Sequence, residues 1–302
     1  MKKLIKIILY LLAICLMFMY KDEIISKITY MFDYNKKIVL ATPNSYYKNM
    51  NYNFVKQSED FIPYSKQDLI NIYYSALDRG YETFTFYCPS EYKNCLIDLE
   101  DLISEQNKAL SNINYFVSPF NTERKITTSY STTGEITLNI EKLYTKEQIE
   151  AVNNKIDEII KNYLKDDMSI EDKLLIIHDY IVNNTIYDEA AINGVSNYIS
   201  YNSYGTLIQG YSTCNGYADT MALFLDRLGV KNFRVASSTH VWNVVYLNNE
   251  WFHIDVTWDD PITKKPNSNE LTHKFYLITT DTLESYNIEE HDFSKIIFGE
   301  VA

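Results

Sequence analysis

The stretch that decides the fold is His240–Pro261, HVWNVVYLNNEWFHIDVTWDDP. Residues alternate on both sides of Asn248-Asn249, the pattern of two strands joined by a tight turn. Asparagine tolerates the left-handed backbone that a two-residue hairpin turn requires. With those two residues as the turn, Leu247 pairs with Glu250, and the remaining pairs follow outward. His240, Trp242, Val244 and Tyr246 then share a face with Trp251, His253, Asp255 and Thr257. The other face carries Val241, Asn243, Val245, Leu247, Glu250, Phe252, Ile254 and Val256, and is the expected core face. Trp242 stands opposite Asp255, with His240 as the diagonal neighbour of Asp255. Diagonal neighbours lie about 7–8 Å apart at the backbone, a gap that an imidazole–carboxylate bond can span. A polar face of an amphipathic hairpin would explain the polarity but not this pairing.

Just upstream, GYSTCNGYADTMALFLDRLG holds apolar residues at Tyr217, Met221, Phe224, Leu225 and Leu228, the spacing of a helix, with Gly229 as its stop. Ser212 and Thr213 are the cap candidates, so Cys214 falls at the helix start. Unpaired N–H groups and the positive end of the helix dipole favour a thiolate there. A small buried cysteine would look the same locally. A cysteine at a helix start, then a histidine, then an aspartate make up a nucleophile, its base and the group that orients the base. Such a set attacks an amide or ester carbonyl and forms a thioester; water as acceptor gives hydrolysis and an amine gives transamidation.

Other residues have weaker claims. The backbone N–H of Cys214 is the simplest oxyanion donor, and Tyr204 or Gln209 could add a side-chain donor. Trp242 could wall the acyl site, though packing alone would also place it there. His253 lies on the same face but fits a role supporting the sheet, and Trp258-Asp259-Asp260-Pro261 fits a strand end that orders a loop. His178, on the apolar face of a helix opened by Ser169, reads as a core histidine. No carboxylate run has calcium-loop spacing and no HExxH occurs, so neither a metal nor another cofactor is implied.

GTLIQGYSTCNGYADTMALFLDRLG (205–229) and STHVWNVVYLNNEWFHIDVTWDDP (238–261) together resemble the bacterial transglutaminase-like superfamily. The upstream HDYIVNNTIYD (178–188) matches the segment that usually precedes the Cys motif there, and the resemblance covers roughly residues 145–280. It implies an α+β, papain-like core, with a Cys-bearing helix packed on an antiparallel sheet that carries His and Asp. It also implies Cys214, His240 and Asp255 as the triad, with Tyr204 where family members often carry a tyrosine. Activities in the superfamily include cross-linking, deamidation and peptide or amide hydrolysis. Some members only bind, so a non-catalytic surface module is the alternative reading.

Around this core the chain divides into an N-terminal segment 1–20, a stalk 21–60, a small α+β subdomain 61–142 and the transglutaminase-like domain 145–302. In the subdomain, a helix opens at Ser65, Tyr81–Tyr87 alternates like a strand, Leu96–Leu110 reads as helical, and 113–118, 125–131 and 135–142 read as strands. A capping box at Thr145–Gln148 starts the next helix, which runs to about Leu164. Cys88 and Cys95 bracket a short loop that fits either a disulfide or two ordinary thiols.

The first twenty residues carry Lys2, Lys3 and Lys6 and then an unbroken apolar run from Ile7. No small-x-small site ends that run, and Ile14 is bulky for a lipoprotein site at Cys15. An uncleaved anchor with an extracellular C-terminal part is favoured over a cleaved signal peptide. The 302 residues are 46% hydrophobic, enough for a sizeable core, and carry a net charge of −12. Without the three lysines of the first segment the remainder carries −15. That charge argues against nucleic acid as a partner and disfavours anionic wall polymers. Neutral protein or cell-wall peptide substrates fit better. Protease added to intact cells should therefore remove the region after residue 20, whereas a mature N-terminus near residue 21 in the medium would exclude the anchor.

Overall fold

The computed structural model describes residues 38–104, 106–260 and 271–302, with a few positions before residue 38. Most of the expected anchor lies outside the described residues, and among those described no helix is long and apolar enough to cross a membrane.

Helices and strands mix throughout, as in an α+β fold. The chain runs through α1 (Lys66–Asp78), β1 (Thr83–Tyr87), α2 (Cys95–Leu102), β2 (Glu123–Tyr130) and β3 (Glu135–Lys142). It continues through α3 (Lys146–Tyr163), α4 (Ile170–Asn184), β4 (Ile186–Tyr187), β5 (Tyr211–Ser212) and α5 (Cys214–Arg227). It closes with β6 (Asn232–Ala236), β7 (Val241–Leu247), β8 (Glu250–Ile254), β9 (Tyr276–Ile278) and α6 (Thr280–Ser285). An antiparallel sheet in the order β1-β3-β2 forms the N-terminal part, and β6-β7-β8-β9, also antiparallel, forms the second sheet.

Local chemistry accounts for many boundaries. Ser65 caps α1 by accepting from the Asp68 N–H, and Thr145 with Gln148 closes a capping box on α3. Ser169 accepts from the Asp172 N–H at the start of α4. Asn248 and Asn249 adopt φ of +52° and +66°, and the β7–β8 register runs from Leu247↔Glu250 to Asn243↔Ile254. Cys88 and Cys95 are joined as a disulfide.

Three expectations need correction. Ile113–Phe116 is a 3-10 turn rather than a strand, with Ile113 and Phe116 buried three residues apart. A short apolar run does not distinguish the two periods, and Pro119 closes the segment soon after. The expected helix over 96–110 breaks into α2 and a single turn at Ala109–Asn112. Within the stretch read as a stalk, residues 38–60 pack on the body: Tyr52 and Val55 are buried, and the Tyr52 hydroxyl donates to the Asn232 carbonyl at 3.1 Å.

The second sheet is covered on both faces. Val245, Leu247, Ile254 and Val256 pack with the apolar faces of α3, α4 and α5. Trp242 and Val244, on the other face, join Phe233, Val235 and the core of the N-terminal unit. The face that alternation marks as polar is thus largely buried too, with Trp251 and Thr257 half-buried and Tyr246 exposed. The N-terminal unit and the C-terminal segment, through His291 and Phe293 against Trp242, supply this cover.

Arg234 on β6 ties these layers together. It pairs with Asp219 of α5, which also accepts from the Tyr144 hydroxyl at 2.7 Å. Its other terminal nitrogen donates to the carbonyls of Asn114 and Val117 and to Thr122 Oγ1. Both charges are buried, and removing one leaves the other unpaired. Arg234→Met should lower stability by about 3–5 kcal/mol in urea unfolding, and Asp219→Asn added to it should recover part of that loss.

Candidate active site

Two hairpin ends and one helix start converge at one end of the second sheet. His240 sits in the turn between β6 and β7, where its N–H donates to Ser237 Oγ at 3.0 Å and its carbonyl accepts from the Ser237 N–H at 2.9 Å. Asp255 follows the last residue of β8, and its N–H donates to the Phe275 carbonyl at 3.0 Å. The register set by Asn248-Asn249 brings the two side chains together, with His240 Nε2 2.6 Å from Asp255 Oδ2.

Asp255 is fully buried and receives four hydrogen bonds. Oδ1 accepts from the backbone N–H groups of Thr257 and Trp258 at 3.0 and 3.1 Å. Oδ2 accepts from His240 and from His291 Nε2, the latter at 2.8 Å. Burial alone would push this carboxyl up. The charge and hydrogen bond of His240, then those of His291, more than offset it and hold Asp255 well below the usual carboxylate range. His240 mirrors this balance. Burial lowers it, but Asp255 and then the Cys214 side chain raise it from 6.5 to about 10. Since Nε2 is engaged by Asp255, Nδ1 is the nitrogen left for the Cys214 side chain.

Cys214 is the first residue of α5, half-buried and free of any disulfide. Thr213 occupies the cap position without a side-chain cap bond, because its hydroxyl donates to the Ser200 carbonyl at 3.2 Å. The first N–H groups of α5 are therefore left open beside the sulfur. Gly216, in that first turn, is needed for close approach: a Cβ there would lie 2.4 Å from Ser212 Oγ and 2.7 Å from the Ser200 carbonyl oxygen.

The weaker sequence candidates separate here. The Trp242 ring lies nearly parallel to His240 with centroids 5.7 Å apart, and its Nε1 donates to His253 Nδ1 at 2.9 Å. Burial holds His253 down at about 3, so the ring is neutral and its Nε2–H faces Thr280 Oγ1 at 3.1 Å. His253 thus fixes the indole and, through it, the wall beside His240. Gln209 is used elsewhere, its Oε1 accepting from the Ile199 N–H at 2.8 Å. Tyr204 packs against the cluster formed by α3, α4 and α5. Among the described residues, neither is hydrogen-bonded to Cys214, His240 or Asp255.

Sequence reasoning missed three neighbours. His291 reaches Asp255 across 36 residues, with its ring stacked on Phe275 at 5.1 Å. Tyr115 and Tyr187, whose phenols are raised first by burial, also feel the charge of Cys214. No local pattern marks any of the three; they meet the site only through the tertiary fold.

Among the described residues, two groups of side chains have metal-ligand geometry: His240, Asp255 and His291, and, away from the cysteine, His178, Asp179 and His273.

Two solved structures are similar to part of the chain. One, described as a TGase, is 19% identical over 51% of this chain and 49% of its own, with a TM-score of 0.35. The other, a candidate protease from Parabacteroides distasonis ATCC 8503, is 13% identical over 43% of this chain and 35% of its own, with a TM-score of 0.25. This chain spans about half the length of the first and less of the second. No protein-family model matches the chain, and no curated protein does.

The His240–Asp255 pair links stability to pH on both sides. The raised His240 contributes stability fully below about 6.5 and loses it as pH rises through about 10. The depressed Asp255 contributes above the ordinary carboxylate range and loses its share only in strong acid. Asp255→Asn removes the larger of the two influences that oppose burial and leaves only Cys214 against it. The His240 ring, followed by NMR, should then titrate well below 10.

Proposed function

We propose that this chain is a thiol acyltransferase or hydrolase of the transglutaminase-like kind, acting on amide carbonyls of proteins or cell-wall peptides outside the cell. In this reading Cys214, His240 and Asp255 are the catalytic set, and residues 1–20 hold the chain to a membrane. One observation carries the reading: His240, bonded through Nε2 to buried Asp255, has its remaining nitrogen for Cys214 at an uncapped helix start.

The chemistry follows from that arrangement. The Cys214 thiolate, paired with the His240 imidazolium, attacks the amide carbonyl and forms a C–S bond. The carbonyl electron pair moves onto oxygen, which the open N–H groups at the start of α5 face. When the oxyanion collapses, the C–N bond breaks and the Nδ1 proton passes to the departing amine. The resulting thioester meets water or a second amine, whose proton returns to His240 as the C–S bond breaks and the thiolate is restored. Asp255 keeps the ring in its required tautomer and orientation throughout. The net charge of −12 favours neutral donors over anionic polymers.

The full chain, incubated with wall peptides and surface proteins, should shift substrate masses by the exchange of ammonia or an amine for water, or for an added amine. Cys214→Ala should abolish every such shift with little change in thermal stability. His240→Ala should slow iodoacetamide labelling of Cys214 at pH 7 by about tenfold or more. Equal labelling in the two proteins would mean no Cys–His pair, and the non-catalytic binding module would replace this reading.

A further inference from the structure

The second cluster lies where α4 meets the segment after Asp255. His178 is fully buried, and its Nε2 lies 3.2 Å from Asp259 Oδ2. Asp259 is fully buried as well. Its Oδ1 accepts from Thr272 Oγ1 at 2.7 Å, and the Phe275 N–H donates to both of its oxygens at 3.1 Å. A carboxylate held by such donors is an acceptor, so Nε2 of His178 must carry the proton. Its Nδ1 lies 3.0 Å from Asp179 Oδ1. The same Oδ1 lies 2.7 Å from His273 Nε2. The three atoms lie within 4.8 Å of one another.

We propose that His178, Asp179 and His273 form a site for a divalent transition ion of the zinc class, with Asp259 holding His178 in its ligating tautomer. Two nitrogens and a carboxylate oxygen are the donor set of a three-ligand zinc site, whose fourth position takes water. A ligating histidine that gives its other N–H to a buried carboxylate is the recurrent outer contact of such sites. Zinc bonds of about 2.0–2.1 Å would need the ligand atoms to part by a few tenths of an ångström. His273, with 43% of its side chain exposed, has room to make that adjustment. Access comes from the same side, where Asp179 is also partly exposed, while His178 closes the inner side.

The ion would join α4 to the segment that holds Asp255. His273 precedes Phe275, whose carbonyl accepts from Asp255 and whose N–H donates to Asp259. The site would therefore clamp the base of the Asp255 turn without touching the sulfur.

The test uses the full chain in mild detergent, carrying Cys214→Ala so that the thiol cannot take the metal. After chelation, Zn2+ and Co2+ are titrated and followed by bound-metal stoichiometry, thermal midpoint and the visible d–d bands of cobalt. The proposal expects one ion per chain, a raised midpoint and cobalt bands of a four-coordinate nitrogen–oxygen site. His273→Ala, a change at an exposed position, should lose the bands and the rise in midpoint while keeping the metal-free midpoint. Asp259→Asn should weaken binding by about 10–100-fold. Absence of binding at micromolar metal would overturn the proposal and leave the cluster as hydrogen bonds alone. Equal binding by His273→Ala would overturn it as well, by moving the ion to another site.

Discussion

The molecule turns on a carboxylate that has no water to solvate it. Asp255 is buried among aromatic rings, a place where a carboxyl would ordinarily keep its proton. Four donors from three parts of the chain replace the lost hydration: the next turn of backbone, the β6–β7 turn and the C-terminal 3-10 turn at Glu289–His291. Each donor must be in place for the charge to persist, and the charge in turn stabilises the imidazolium of His240. The strand register, the turn after β8 and the docking of the C-terminal segment all meet in this one side chain.

Keeping water from that carboxylate takes more than the hairpin. The second sheet is covered by helices on one face and by the N-terminal unit on the other, so both strand faces are apolar where they meet their covers. Arg234 reaches from the sheet into both covers. A buried ion pair of this kind is modest evidence of stability but a demanding constraint on register, because a slip of one residue would strand two charges in the core.

What the sequence made legible was local. The Asn-Asn turn, the capping boxes and the position of Cys214 at a helix start each depend on a few adjacent residues, and each was readable before any tertiary contact was known. The pairing of His240 with Asp255 was legible for the same reason, since a two-residue turn fixes every partner along a ladder. The burial of the Trp242 face was not, because the residues that cover it come from the N-terminal unit far upstream and from His291 and Phe293 downstream. His291 and the Asp259–His178 contact were illegible on the same ground; neither lies in a periodic pattern with its partner. Ile113–Phe116 failed differently, as four residues with two apolar ends suit a strand and a 3-10 turn equally. Gln209 could be named as a donor from its place before Cys214, but its commitment to Ile199 depends on how the intervening loop folds back.

The chain holds three tryptophans, and all of them lie between residues 242 and 258. Trp242 lies against His240, Trp258 packs on both His240 and His291, and Trp251 rests edge-on against Phe233 in the same sheet. Indole emission is quenched by a nearby imidazolium far more than by neutral imidazole. The tryptophan fluorescence of the protein, excited beyond the tyrosine band, is therefore a label already installed around the histidines, with no contribution from the N-terminal unit. Its intensity reports the charge of these rings in the unmodified chain, and its wavelength reports whether the cover over the sheet remains closed.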